Sequence, residues 1–224
     1  VTEADWLAAT DPALMAAHVL SKASGRKLRL FACACCRRIW PLLTDERSRA
    51  VVEAAEQSVD GLLSPAALRE RYTVAYSANP GPRPEVERVA ARAAASTASV
   101  YPLNAIGIVA AANALRHGSQ PADRAGEGRE QCRLLRCVFG NPFRPVAVDP
   151  AWLAWNGGTV GRLAEAAYQE RELPSGHLTT SRLALLADAL EDAGCADSSL
   201  LSHLRSAGPH VRGCWAVDLV LGKE

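Results

Sequence analysis

Aromatic residues, lysine and methionine are scarce in this chain. Its 224 residues include 3 Phe, 4 Tyr, 5 Trp and 1 Met, and Lys22, Lys27 and Lys223 are its only lysines. With hydrophobic residues at 49%, a core so poor in rings has to be built from alanine, leucine and valine, which suits close helix–helix packing. No run of alternating β-branched residues is long enough for a sheet, and the most extended-looking piece is Pro145-Val-Ala-Val-Asp149; a β-rich fold is therefore excluded. A Gly-rich phosphate loop, a nucleophile elbow and a metalloprotease helix are also missing, which removes the function classes those motifs define. No repeat recurs at a fixed period, so a helical solenoid is not supported. Nor is there an excess of one charge. The formal net charge is +1 with both signs interspersed, whereas a nucleic-acid binder concentrates a basic excess on one face.

What the chain has in abundance is helix punctuation. Thr2, Thr10-Asp11-Pro12 and Ser64-Pro65 supply N-caps and first-turn prolines, and Gly61, Gly118, Gly140 and Gly194 fall where periodic segments end. The pattern predicts helices near 2–9, 11–22, 26–40, 45–60, 65–78, 84–100, 103–117, 128–139, 150–155, 158–172, 178–193, 197–206 and 209–221. The expected fold class is all-α, a compact multi-helix bundle or orthogonal array of about 11–13 helices without significant sheet. Turn formers cluster at 79–84 and 117–128. The second cluster suggests an N-terminal helical subdomain at 1–118, a linker at 119–128 and a C-terminal helical subdomain at 129–224, unless the whole is one continuous domain. Residues 93–115 carry no charge, but Ser96, Thr97, Ser99, Asn104 and Asn113 with a central Pro102 favour two buried helices over a membrane span.

Seven cysteines, an odd number, stand at Cys33, Cys35, Cys36, Cys132, Cys137, Cys195 and Cys214. The opening Val1-Thr-Glu-Ala-Asp-Trp is acidic where a secretory leader is basic, so free thiols in a reducing cytoplasm are expected. In a helix over residues 28–40, Leu28, Phe31, Ala32, Cys35 and Ile39 form an apolar stripe. Cys33 and Cys36 lie one turn apart, near enough to share a metal if another element supplied two ligands. Core packing is the preferred reading of these thiols. Cys132 and Cys137, five positions apart, sit about 140° around a helix and make poor co-ligands.

The C-terminal stretch is the richest in chemistry. In a helix over 209–221, His210, Cys214 and Asp218 would share one face. With Cys195 and His203 they form Cys-x7-His-x6-His-x3-Cys, ligand types that zinc accepts at a spacing that matches no template. Cys195, His203, His210 and Cys214 are thus the candidate metal ligands. A hydrogen-bonded core around His210 and Asp218 is the plainer reading, so no cofactor is expected, with zinc the alternative. Asp188, Glu191 and Asp192 read as a solvated face or as partners for Arg182, Arg205 and Arg212 rather than a catalytic pair. In the proline-bracketed loop Asn141-Pro-Phe-Arg-Pro145, Phe143 and Arg144 are candidates for display to a partner. The preferred reading makes the loop a strut, with Phe143 plugging the core and Arg144 pairing with an acid.

Several strings carry a resemblance: Thr2-Glu-Ala-Asp-Trp-Leu7, Phe31-Ala-Cys-Ala-Cys-Cys-Arg-Arg-Ile-Trp40, Phe139-Gly-Asn-Pro-Phe-Arg-Pro145 with Asp149-Pro-Ala-Trp-Leu153, and the C-terminal Leu186-Ala-Asp-Ala-Leu-Glu-Asp-Ala-Gly-Cys195 and Gly208-Pro-His-Val-Arg-Gly-Cys-Trp-Ala-Val-Asp-Leu-Val-Leu221. On these the chain resembles a family of uncharacterised all-helical proteins abundant in planctomycete bacteria. The resemblance covers most of 1–60 and 130–224 and implies an intracellular bacterial protein; it carries over no catalytic or ligand residue. The leading expectation is a non-enzymatic helical module for interaction with a protein partner or for regulation. The alternative is a metal- or thiol-dependent protein using the C-terminal Cys/His group. Nucleic-acid binding through the basic residues of 26–38 ranks last, and no membrane partner is expected.

Overall fold

The computed structural model of the chain describes residues 1–20, 22–77, 84–99 and 121–223. Among them are twelve α-helices, two 3-10 turns, no β-strand and only two isolated antiparallel bridges, Glu172 with His177 and His177 with Val211. The fold is all-α. The helix expected over 103–117 and most of the first turn cluster lie outside the described residues. No described helix is long and apolar enough to cross a membrane.

The chain divides into two compact units, Val1–Leu135 and Arg136–Glu224. The first contains α1 (Glu3–Ala8), α2 (Pro12–Leu20), α3 (Gly25–Arg38), α4 (Glu46–Ser58), α5 (Pro65–Ser77), α6 (Glu85–Thr97) and most of α7 (Pro121–Phe139). Its helices begin where short polar side chains take up free amides. Thr2 forms a capping box with Asp5, Asp11 accepts from the Ala13 amide at 2.9 Å, and Ser24 and Asp45 cap α3 and α4. The division falls inside α7, and residues 121–128, read from sequence as linker, form its first half. Glycine and polar residues there do not stop a helix that starts on Pro121.

Helix α3 packs on α4 and α6. Leu30, Phe31, Cys33, Cys35 and Cys36 are all buried, so the helix lies inside the unit instead of exposing a polar half. Its basic residues are turned inward too. Arg37 is buried and makes a fork of 2.6 and 2.8 Å to Glu56, Arg38 pairs with Glu127, Arg26 with Asp60, and Arg29 donates to the Thr97 carbonyl. These arginines share no exposed basic face of the kind a nucleic acid needs.

The second unit holds the end of α7, then α8 (Pro150–Ala154), α9 (Thr159–Gln169), α10 (Thr180–Asp192), α11 (Ser198–Arg205) and α12 (Trp215–Leu221). Helix α10 packs on α9 and α11, and α12 on α9 and α11. Leu183, Leu186, Leu190, Leu200, Leu204 and Val217 fill the space between them with no measurable exposure. On the surface, Arg205 bridges Asp188 and Glu191 at 2.7 and 2.5 Å, as the solvated-face reading expects. The final helix is shorter than its apolar pattern suggests. It starts at Trp215 and not at 209, because Gly208 and Gly213 take φ of +85° and +91°, outside the right-handed helical region. His210, Cys214 and Asp218 therefore do not line one helix face. Phe143 also departs from expectation. It is 36% exposed, held in a tight turn by the Asn141 side chain, which accepts from the Phe143 amide at 3.0 Å; it does not plug the core. Arg144 is exposed beside it.

Candidate metal centre

Three of the four C-terminal candidates come together, joined by a cysteine that the sequence argument had set aside. One ligand-type atom from each of Cys137, His203, His210 and Cys214 lies within 4.8 Å of every other. All four residues belong to the second unit. Cys137 stands near the end of α7, His203 in the last turn of α11, His210 in the loop between α11 and α12, and Cys214 at the N-cap of α12. Cys137, His210 and Cys214 are buried and His203 is half-buried. No other group of three or more potential ligands occurs among the described residues. Cys33 and Cys36 in the first unit belong to no such group; Cys33 Sγ lies 3.8 Å from the Val52 carbonyl oxygen.

Cys195 stays outside the cluster. It follows α10, where its amide closes the helix on the Leu190 carbonyl at 2.9 Å. Burial pushes its thiol up, and the carboxylates of Asp197 and Glu191 add to this against a hydrogen bond from the Asp197 backbone. Cys137 was missed because no short spacing links it to the histidines. The usable signal was its position about 140° around the helix from Cys132, which aims the two thiols in different directions.

Local folding arranges each ligand. Gly140, with φ +64°, closes α7 just after Cys137, and a Cβ there would stand 3.0 Å from the Trp215 ring. Trp215 in turn packs on the His203 ring, with centroids 5.2 Å apart. His203 Nε2 lies 3.2 Å from Cys214 Sγ. The two imidazoles meet edge to face at 4.8 Å. His210 is fixed from both ends: its carbonyl accepts from the Leu178 amide at 2.9 Å, and its Nε2 lies 3.1 Å from the Ser206 carbonyl oxygen. A carbonyl only accepts, so Nε2 carries the proton, and in the neutral ring Nδ1 presents a lone pair. Nδ1 is buried without a hydrogen bond of good geometry. A second-sphere carbonyl holding the distal N–H is how metal-ligating histidines are oriented.

The electrostatics prepare Cys214 as well. Burial works to raise the Cys214 thiol, but a hydrogen bond from Cys137 and the nearby His203 and His210 outweigh it and hold the group well below its ordinary range. For His210, burial works the other way and is outweighed by Cys214 and the Ser206 backbone, which raise it. The neighbours thus favour the thiolate at Cys214, whose own side chain has no measurable exposure. A thiolate is the form in which cysteine ligates a metal. Two thiolates and two imidazoles are the donor set of tetrahedral zinc, with bonds of about 2.3 Å to sulfur and 2.0 Å to nitrogen. Those bonds imply ligand–ligand edges of roughly 3.3–3.8 Å, so the cluster needs to draw in by no more than about 1.5 Å. No protein-family model, curated protein or solved structure matches the chain.

Proposed function

We propose that this is a metal-dependent helical protein whose second unit is stapled by one structural zinc ion on Cys137, His203, His210 and Cys214. The observation that carries the reading is the convergence of two thiols and two imidazoles within 4.8 Å, with His210 Nε2 held by the Ser206 carbonyl. Zinc neutralises two thiolates completely, which removes the penalty of burying them. Four protein ligands leave the metal no position for substrate, so the work of the chain on this reading is recognition through a fixed surface and not turnover. The metal ties the end of α7 to α11 and α12, elements distant in sequence.

The test is elemental analysis of the full chain purified without chelator or metal-affinity resin. One zinc per chain is expected, lost in Cys137→Ser and Cys214→Ser and retained in Cys195→Ser. Zinc-free protein that is nonetheless folded, or zinc lost in Cys195→Ser but kept in Cys137→Ser, overturns the reading.

A further inference from the structure

We propose that Tyr168 and Asp218 form an outer shell that sets how tightly the centre keeps its metal, an inference that rests on the zinc reading above. Tyr168 lies in α9 and Asp218 in the first turn of α12; neither is among the four ligands. Both are buried, at 4% and 1% exposure. A buried carboxylate and phenol are costly unless each is satisfied, and here they satisfy each other: the Tyr168 hydroxyl donates to Asp218 Oδ1 at 2.5 Å. With its proton committed, the hydroxyl oxygen accepts from the Gly213 amide at 3.1 Å. Gly213 immediately precedes Cys214.

The peptide on the other side of Cys214 is held by the same acid. The Asp218 amide donates to the Cys214 carbonyl at 2.9 Å, opening α12. One residue therefore restrains Cys214 from both directions, by its side chain through Tyr168 to Gly213 and by its own backbone to the Cys214 carbonyl. Gly213 at φ +91° has a backbone that is easily redirected, so without the hydroxyl the turn that points Cys214 Sγ at its partners loses a fixed anchor. A hydroxyl that donates to a carboxylate is also a stronger acceptor, which ties the two bonds together. Apolar packing alone would be served by Phe at 168 and an aliphatic residue at 218. The polar relay reaches the backbone beside a ligand, where it can act as an outer-shell partner.

The experiment measures zinc affinity and dissociation rate on the folded full chain by competition with a chromophoric chelator, and the ligand field by cobalt(II) absorption. Tyr168→Phe leaves all four ligands in place. It is expected to keep the tetrahedral cobalt spectrum while weakening zinc about 10–100-fold and speeding its release. Asp218→Asn keeps an acceptor for the phenol and is expected to lose less affinity than Asp218→Ala. Leu190→Ala, a core truncation away from the relay, serves as the stability control and is expected to lower the unfolding midpoint without changing zinc release. If Tyr168→Phe lowers the midpoint but releases zinc at the wild-type rate, the relay is merely structural and the inference fails. Should Tyr168→Phe not fold, Asp218→Asn decides alone: wild-type release then overturns the proposal and faster release supports it. Wild-type protein without zinc sinks the metal reading itself, and this inference with it.

Discussion

The two units handle buried cysteine in opposite ways. In the first, Cys33, Cys35, Cys36 and Cys132 sit in the core as small apolar side chains. Burial pushes the Cys35 thiol well up, aided by Glu127 and opposed by Arg38, and Cys36 likewise, aided by its neighbouring thiols and Glu56 and opposed by Arg37. Charge inside that unit is instead settled between arginine and glutamate, above all by the Arg37–Glu56 fork. In the second unit the same side chain stands beside imidazoles, and Cys214 goes down instead of up. The difference teaches that burial alone does not decide what a thiol is for. Its neighbours do: around Cys214 two imidazoles and a second thiol favour the charged form and complete a donor set, whereas Cys195 in the same unit, beside carboxylates, goes up as Cys35 does.

If the contrast is real, removing metal separates the units, and this is the largest effect expected. A strong chelator acting on the full chain should abolish hydrogen-exchange protection in α11 and α12 while α3 and α4 stay protected. A site held with zinc at about a thousand times its dissociation constant contributes about 4 kcal/mol that vanishes on chelation. Alkylation should follow the same boundary, with Cys137 and Cys214 modified in the chelated protein before Cys35 and Cys36. Equal loss of protection in both units would break the comparison.

The mirror experiment acts on the first unit. Glu56→Ala leaves the Arg37 guanidinium buried without its partner, a change that costs about 3–5 kcal/mol. Denaturant unfolding measures the loss, and elemental analysis is expected to find zinc undiminished. Replacing the pair together, Arg37→Met with Glu56→Leu, should recover most of the stability, since two apolar groups of similar volume need no compensation.

Much of this architecture is legible in the residues because caps and breakers act locally. Thr2, Asp11 and Ser64 each accept from an amide in the first turn of the helix that follows, and Gly61, Gly140 and Gly194 turn to positive φ where periodic segments stop. The start of α12 was not legible: the apolar period runs unbroken through Gly213, and nothing local reveals that this glycine sits at positive φ. Three metal candidates were found by side-chain type. Cys195 was included for its nearness along the chain, and Cys137 was set aside with Cys132 because the two lie on different sides of one helix; neither argument looks across the chain, where packed helices bring ligands together. Phe143 shows the same limit, since a turn held by Asn141 points the ring outward whatever its hydrophobicity.

The smallest effect expected is also the most selective for the second unit. Gly208 adopts φ +85°, and a Cβ there would lie 2.7 Å from the His210 backbone nitrogen and 3.0 Å from its ring Cδ2. The first of those atoms is backbone and cannot swing aside, so Gly208→Ala has to move His210, a proposed ligand. Gly194 and Gly61 have equally positive φ, +93° and +75°, but open space where a Cβ would go. All three alanine variants pay the conformational strain, about 1–2 kcal/mol each. Gly208→Ala alone should also release zinc faster in the chelator competition, because only there does the strain fall on a ligand. Matching zinc release in all three would mean that the loop tolerates the shift and that His210 is held by Ser206 and Leu178 more firmly than by the turn that introduces it.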